Sequence, residues 1–244
     1  MVLTLTALVE LFGFFTLSIL SYRFYQAHRE RKSLISRLLF YFVSLLTLYF
    51  FFDGLLILFF AENSFVLKIS IVTGIFFQSL ACAVIAYLFL YITNLKISPL
   101  FGFLFVLILG LGITALAFNS QFHPSWELVG SIRIINWNLP PIIGFLQFIT
   151  FFITFIPLSC IFPLYSQISK ISFIRIRSFG MVLVVLLGLN AALINFFLKD
   201  ILRLNPLSGD IAFGLFSLFL FTLLLYFSFQ SENFEKRISS PFQI

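Results

Sequence analysis

The chain has 244 residues, of which 61% are hydrophobic and only 10% charged, with a formal net charge of +6. A soluble domain carries about a quarter charged residues, so this composition and a mean hydropathy of +1.12 exclude one of useful size. The positive charge lies beside long apolar runs, which directs it to anionic lipid headgroups and excludes nucleic acid as its partner.

A helix rises about 1.5 Å per residue and the hydrocarbon is about 30 Å thick, so roughly 20 apolar residues make one span. Seven runs qualify: residues 2–22, 38–60, 65–92, 99–118, 141–165, 179–198 and 211–229. Backbone groups in hydrocarbon must be satisfied internally, so these runs are helices. Strand-based membrane proteins show period-two alternation instead, which is not evident here. The expected fold is an all-α integral membrane protein, a seven-transmembrane helix bundle over residues 1–230 with a short cytoplasmic tail, 231–244.

The first run lacks the basic leader of a signal peptide and is followed by Arg23, Arg29, Arg31, Lys32 and Arg37. Lys96, Lys170, Arg175, Arg177, Lys236 and Arg237 fall on the same side, making eleven basic residues there. Lys68, Arg133, Lys199 and Arg203 fall on the other, matched by Glu62, Glu127, Asp200 and Asp210. Basic residues are retained on the cytoplasmic side, so the N-terminus is expected outside and the C-terminus inside, in a bacterial inner membrane. Lys199, at a helix boundary, reads as an interfacial anchor.

Most connections are short, which predicts sequential antiparallel packing. Residues 119–140 form a longer outer loop containing His123, Trp126, Arg133, Asn136, Trp137 and Asn138; such loops are functional or disordered, and two Trp favour order at the interface. Pro141 suits the first turn of the fifth helix, and Pro157 is expected to kink it. Cys82 and Cys160 read as packing residues rather than a disulfide or metal site. The 38 Phe are read as core and lipid contacts.

Ionisable groups at membrane depth are costly and call for a reason. Glu10 lies about 12 Å below the outer end of its helix and Asp53 about 10 Å. Gln147 and Asn190 fall at the same level, with Gln78 deeper. These side chains suggest an outward-facing pocket for a small ligand with cationic or donor groups, floored by Glu10, Asp53, Gln147 and Asn190 and roofed by the loop with His123 and Trp126. The competing readings are internal bonding, with the carboxylates protonated or paired with Lys68 or Arg133; coupling in a small transporter of three-plus-one-plus-three helices, which the missing Pro-Gln motifs disfavour; or an accessory subunit of a membrane complex with no ligand. His28 and His123 lie on opposite sides, no nucleophile–base pairing is indicated, and the seventh run carries no Lys for a Schiff base. No enzyme activity, cofactor or metal is expected.

Residues from about 99 to 229 resemble the N-terminal seven-helix sensor region of bacterial histidine kinases. The resemblance rests on Asn119-Ser-Gln-Phe-His123-Pro-Ser-Trp126, on Gly188-Leu-Asn190-Ala-Ala-Leu-Ile-Asn195, and on Asn205-Pro206-Leu-Ser-Gly-Asp210-Ile-Ala-Phe-Gly214, where the order of Pro and Asp differs from the family's. It implies a sensor or receptor-like role in signal transduction. The family continues into a kinase or cyclase; residues 231–244 are too short for one, implying a stand-alone sensor that signals through a cytoplasmic or membrane partner.

Overall fold

The computed structural model describes residues 3–93, 96–168, 172–199, 202 and 204–239. Lys170, Asp200 and Arg203 lie outside them. Its elements in chain order are α1 (Leu5–Arg31), α2 (Leu34–Phe60), α3 (Ser64–Thr93), α4 (Pro99–Asn119), β1 (Ser125–Val129), β2 (Ile132–Asn136), α5 (Pro141–Ile168), α6 (Ser172–Leu193), a π-helical turn (Ile194–Leu198) and α7 (Leu207–Ser239). Seven of these helices are long and apolar enough to cross a membrane, which makes the chain a multi-pass membrane protein of the expected all-helical class.

Several helices start where short polar side chains take up free backbone amides. Thr4 accepts from the Ala7 amide at 3.2 Å, and Asn63 Oδ1 accepts from those of Phe65 and Val66. Helix α4 begins on Pro99 and α5 on Pro141, where the missing amide proton costs nothing. Helix α5 continues through Pro157.

The basic segment expected as an inner loop, residues 23–37, is almost wholly helical. Arg, Gln, Ala and Glu are good helix formers, so α1 runs on past its apolar stretch. It stops at Lys32, which adopts a left-handed φ of 49°, and Ser33 then caps α2. Arg23, Arg29 and Arg37 are exposed at that end, called here the basic face. At the far end, α7 exceeds its expected limits and takes in residues 231–239 of the expected tail.

The helices pack as sequential neighbours and close into a ring. Helix α1 lies against α2 and α7, α2 against α3, α3 against α5, α5 against α6, and α6 against α7. Helix α4 sits outside this ring, on α3 and α5, and its outward side bears exposed residues such as Phe101, Ile108 and Phe118.

The long loop contains an antiparallel β-hairpin, with Trp126 opposite Ile135 and Val129 opposite Ile132. Gly130 has a φ of 63°, the positive value that Gly supplies at the first centre of a two-residue hairpin turn. From this hairpin face, Phe122, Ile135, Trp137 and Leu139 pack into one buried cluster with Ala7, Ile57, Leu67, Ile71, Ile75, Ile113 and Ile143. The loop is thus inserted between helix ends as a plug.

Candidate site: a polar layer beneath the hairpin

Each ring helix contributes at least one polar side chain to a layer beneath the hairpin. Helix α1 supplies Glu10, which is 6% exposed. Helix α2 supplies Tyr49 one turn before Asp53, so both point the same way. The Tyr49 hydroxyl lies close enough to Glu10 and to Gln78 of α3 to interact with both. Gln78 Oε1 in turn accepts from Gln147 Nε2 of α5 at 2.9 Å. Gln147, Gln78, Tyr49 and Glu10 thus form a polar row from four helices, joined by the hydrogen bond between the two amides. The Asp53 carboxylate, an electrostatic neighbour of Glu10, accepts from the Ser70 hydroxyl of α3.

The other side of the layer comes from α6 and α7. The π turn contains Asn195 and Phe196 and leads into Lys199, whose amide donates to the Ile194 carbonyl five residues back. Such widened turns are frequent at functional sites. Lys199 is 6% exposed and lies close enough to Asp210 of α7 to interact with it electrostatically. Asp210 accepts from the Thr6 hydroxyl of α1 at 2.6 Å, and it interacts electrostatically with Glu10 as well. Among the described residues α4 adds nothing to the layer; its Thr114 hydroxyl donates to its own helix at Gly110.

A cavity of about 20 Å³ lies in this layer. That is room for about one water. Asp53, Tyr49, Gln78, Asn195 and Lys199 supply its polar lining, and the hairpin segment closes it with Trp137 and Leu139.

Of the sequence-derived site residues, Glu10, Asp53 and Gln147 are all buried; Asp53 lines the cavity, while Glu10 and Gln147 lie outside its lining. Gln78, expected deeper, lines the cavity beside Asp53 and holds the Gln147 amide. Asn190 does not join them: its side chain is exposed and its amide donates to the Leu186 carbonyl of its own helix. Depth along a helix was legible, but azimuth was not, and Asn195 of the next turns takes the inward position. His123 is exposed and Trp126 is 37% exposed, under the Arg133 guanidinium at 5.8 Å; the roof is Trp137 instead. Lys68 donates to the Ser120 carbonyl at 2.8 Å and stands over the Phe122 ring. It therefore fastens the loop, and its recorded contacts are not with Glu10 or Asp53.

Lys199 and Asp210, expected at the interface, belong to the site. Their signal was weak, because both fall at the ends of apolar runs where snorkelling to water is the usual outcome. Thr6, Ser70 and Tyr49 carried no signal of their own, since hydroxyls are common in transmembrane helices. The hairpin did have one: Gly130-Ser131 between β-branched neighbours is a two-residue turn signature. Cys82 is buried and Cys160 exposed, both as free thiols.

The fold and this layer define a seven-helix membrane protein with a plugged polar centre near one face. No model of a known family, no curated protein and no solved structure matches the chain.

Proposed function

We propose that this is a sensor or receptor-like protein of the bacterial inner membrane, with the hairpin outside and the basic face in the cytoplasm. A small ligand enters beneath the hairpin, settles in the polar layer, and its occupancy is read by a cytoplasmic or membrane signalling partner. The protein acts by binding and not by catalysis. The observation that carries this reading is the layer itself: polar groups from the ring helices gather beneath the hairpin, around a cavity lined from α2, α3, the π turn and the hairpin segment. The Thr6 link from hairpin to α7 gives such a ligand a route to the basic face, because α7 runs from the layer to Ser239. The resemblance to kinase sensor regions points the same way.

The test is a thermal-shift panel of small polar molecules on the purified protein, with Glu10→Gln and Asp53→Asn alongside. Ligand-specific shifts lost in both variants support the site; equal shifts in all three proteins for every compound reject it. Sidedness is tested with His123→Cys in a background lacking Cys82 and Cys160. An impermeant thiol reagent should label it from outside intact cells.

A second reading is a three-plus-one-plus-three transporter, and one observation favours it. The contacts of α1, α2 and α3 recur among α5, α6 and α7, and α3 meets α5 as α7 meets α1. Uptake by proteoliposomes that depends on Asp53 would select this reading over the sensor.

A further inference from the structure

The hairpin has two edges, and only one is covered. Val129 and Ile132 flank the two-residue turn, so they form a hydrogen-bonded pair, and pairing alternates from there. Glu127 with Ile134 is the next such pair. Trp126 with Ile135 and Leu128 with Arg133 are pairs of the other kind, whose amides and carbonyls point away from the facing strand. On β2 this is seen directly, because the Ile135 amide leaves the hairpin for the Thr6 hydroxyl at 2.9 Å. On β1 the same alternation aims the amides and carbonyls of Trp126 and Leu128 outward. Among the described residues no hydrogen bond reaches them, and the two side chains are 37% and 57% exposed.

An open strand edge is a template for another strand, and proteins blunt such edges with Pro, Lys, bulges or a covering segment. Strand β1 carries neither Pro nor Lys, and its register runs without a bulge from Ser125 to Val129. Its one charge is Glu127, whose Oε1 accepts from Asn136 Nδ2 at 2.9 Å. That amide is neutral. Arg133, the hairpin's cation, pairs with Leu128 and lies over the Trp126 ring, on the face opposite to Glu127. The Glu127 charge is therefore unmatched within the hairpin. A second copy of the chain fits this edge badly. The antiparallel register that uses every outward group sets Glu127 against its own counterpart, and like charges directly opposite are destabilising.

We propose that the outer edge of β1 receives an extended segment of a partner protein, paired strand to strand, with Lys or Arg opposite Glu127. An antiparallel segment exchanges both main-chain bonds with Trp126 and both with Leu128, so a short segment suffices. Its residues facing these two are apolar, and the residue between them is the basic one, on the Glu127 face. The partner approaches from the hairpin side, so the proposal stands whether or not the polar layer binds a ligand. A segment held here grips the element whose next residue, Trp137, closes the cavity.

The experiment follows Trp126 fluorescence of the purified full chain in detergent, with Trp137→Phe to leave Trp126 as its only indole. The probes are capped peptides of alternating Thr and Val, with Lys, Gln or Glu at the centre between two Val. The Lys peptide should shift the emission to the blue, saturably, and bind about threefold to tenfold tighter than the Glu peptide. N-methylation of its two central Val should abolish binding, because it removes the paired amides. Glu127→Gln should still bind both peptides and bring them to within about twofold of each other. Leu128→Pro deletes one outward amide and no ladder bond, which an edge strand tolerates. It should weaken every peptide by about threefold to tenfold, at a Tm close to the parent's. No saturable shift with any peptide, a methylated peptide that binds as well as its parent, a Lys preference that survives in Glu127→Gln, or full binding by a folded Leu128→Pro would overturn the proposal. So would an emission shift that grows with protein concentration in the absence of peptide and disappears in Leu128→Pro, which would assign the edge to a second copy.

Discussion

The Thr6 hydroxyl donates to Asp210 Oδ2 at 2.6 Å and accepts the Ile135 amide at 2.9 Å. One small side chain thereby joins α1, α7 and β2. The hairpin cannot lift from the ring without releasing the Ile135 amide, and α7 cannot shift at Asp210 without pulling on the same oxygen. Thr6→Val keeps the shape and removes both bonds. Each buried group left without a partner costs about 1–3 kcal/mol, so Tm should fall by roughly 2–10 °C, and Thr6→Ser should restore it. Exchange of the Ile135 amide with solvent deuterium should quicken in Thr6→Val.

Trp137 closes the cavity, so its removal should open it. In a background without Cys82 and Cys160, Ile75→Cys places a thiol on the cavity wall, at a position that is 2% exposed. An impermeant reagent should label it slowly. Adding Trp137→Ala should speed labelling at least tenfold, with the same reagent acting from the hairpin face. Unchanged rates would show that access does not pass beneath the hairpin.

Helix α5 approaches the π turn at Gly144, where a Cβ would run into the Phe196 carbonyl oxygen. A main-chain atom cannot swing aside, so Gly144→Ala should destabilise the protein by about 1–3 kcal/mol. Gly112 on α4 has open space where its Cβ would stand, and Gly112→Ala should leave Tm unchanged or slightly higher, since Ala is the better helix former.

Gln78 of α3 accepts the Gln147 amide of α5. Gln78→Leu strips the partner from Gln147 Nε2. Hydrogen bonds between transmembrane helices average about 0.6 kcal/mol and reach about 1.7, so a loss within that range is expected. A double-mutant cycle of Gln78→Leu with Gln147→Leu should show coupling; strict additivity would mean that the two amides do not act together.

Much of the fold was legible in the residues. Seven apolar runs, Pro at two helix starts and a basic bias on alternate connections follow from the cost of placing backbone and charge in hydrocarbon, and that cost is paid locally. The helix limits were less legible at the basic face, because Arg, Gln and Glu favour the helix beyond the apolar run as strongly as within it. The hairpin was hidden by its length: two strands of five residues give little alternation to read, although Gly130-Ser131 marked the turn.

The site divides in the same way. Glu10 and Asp53 stood out because an acid inside an apolar run is expensive wherever it faces, and Gln147 by its depth. What only the tertiary structure decided was direction around each helix axis and the meeting of distant ends. It turned Asn190 outward and brought Asn195 to the cavity wall. It also drew Lys199 and Asp210 into the centre and replaced Trp126 by Trp137 in the roof. Hydrophobicity along a chain measures what a residue costs in lipid, and a helix that is apolar on every side carries almost no information about which side faces its neighbours.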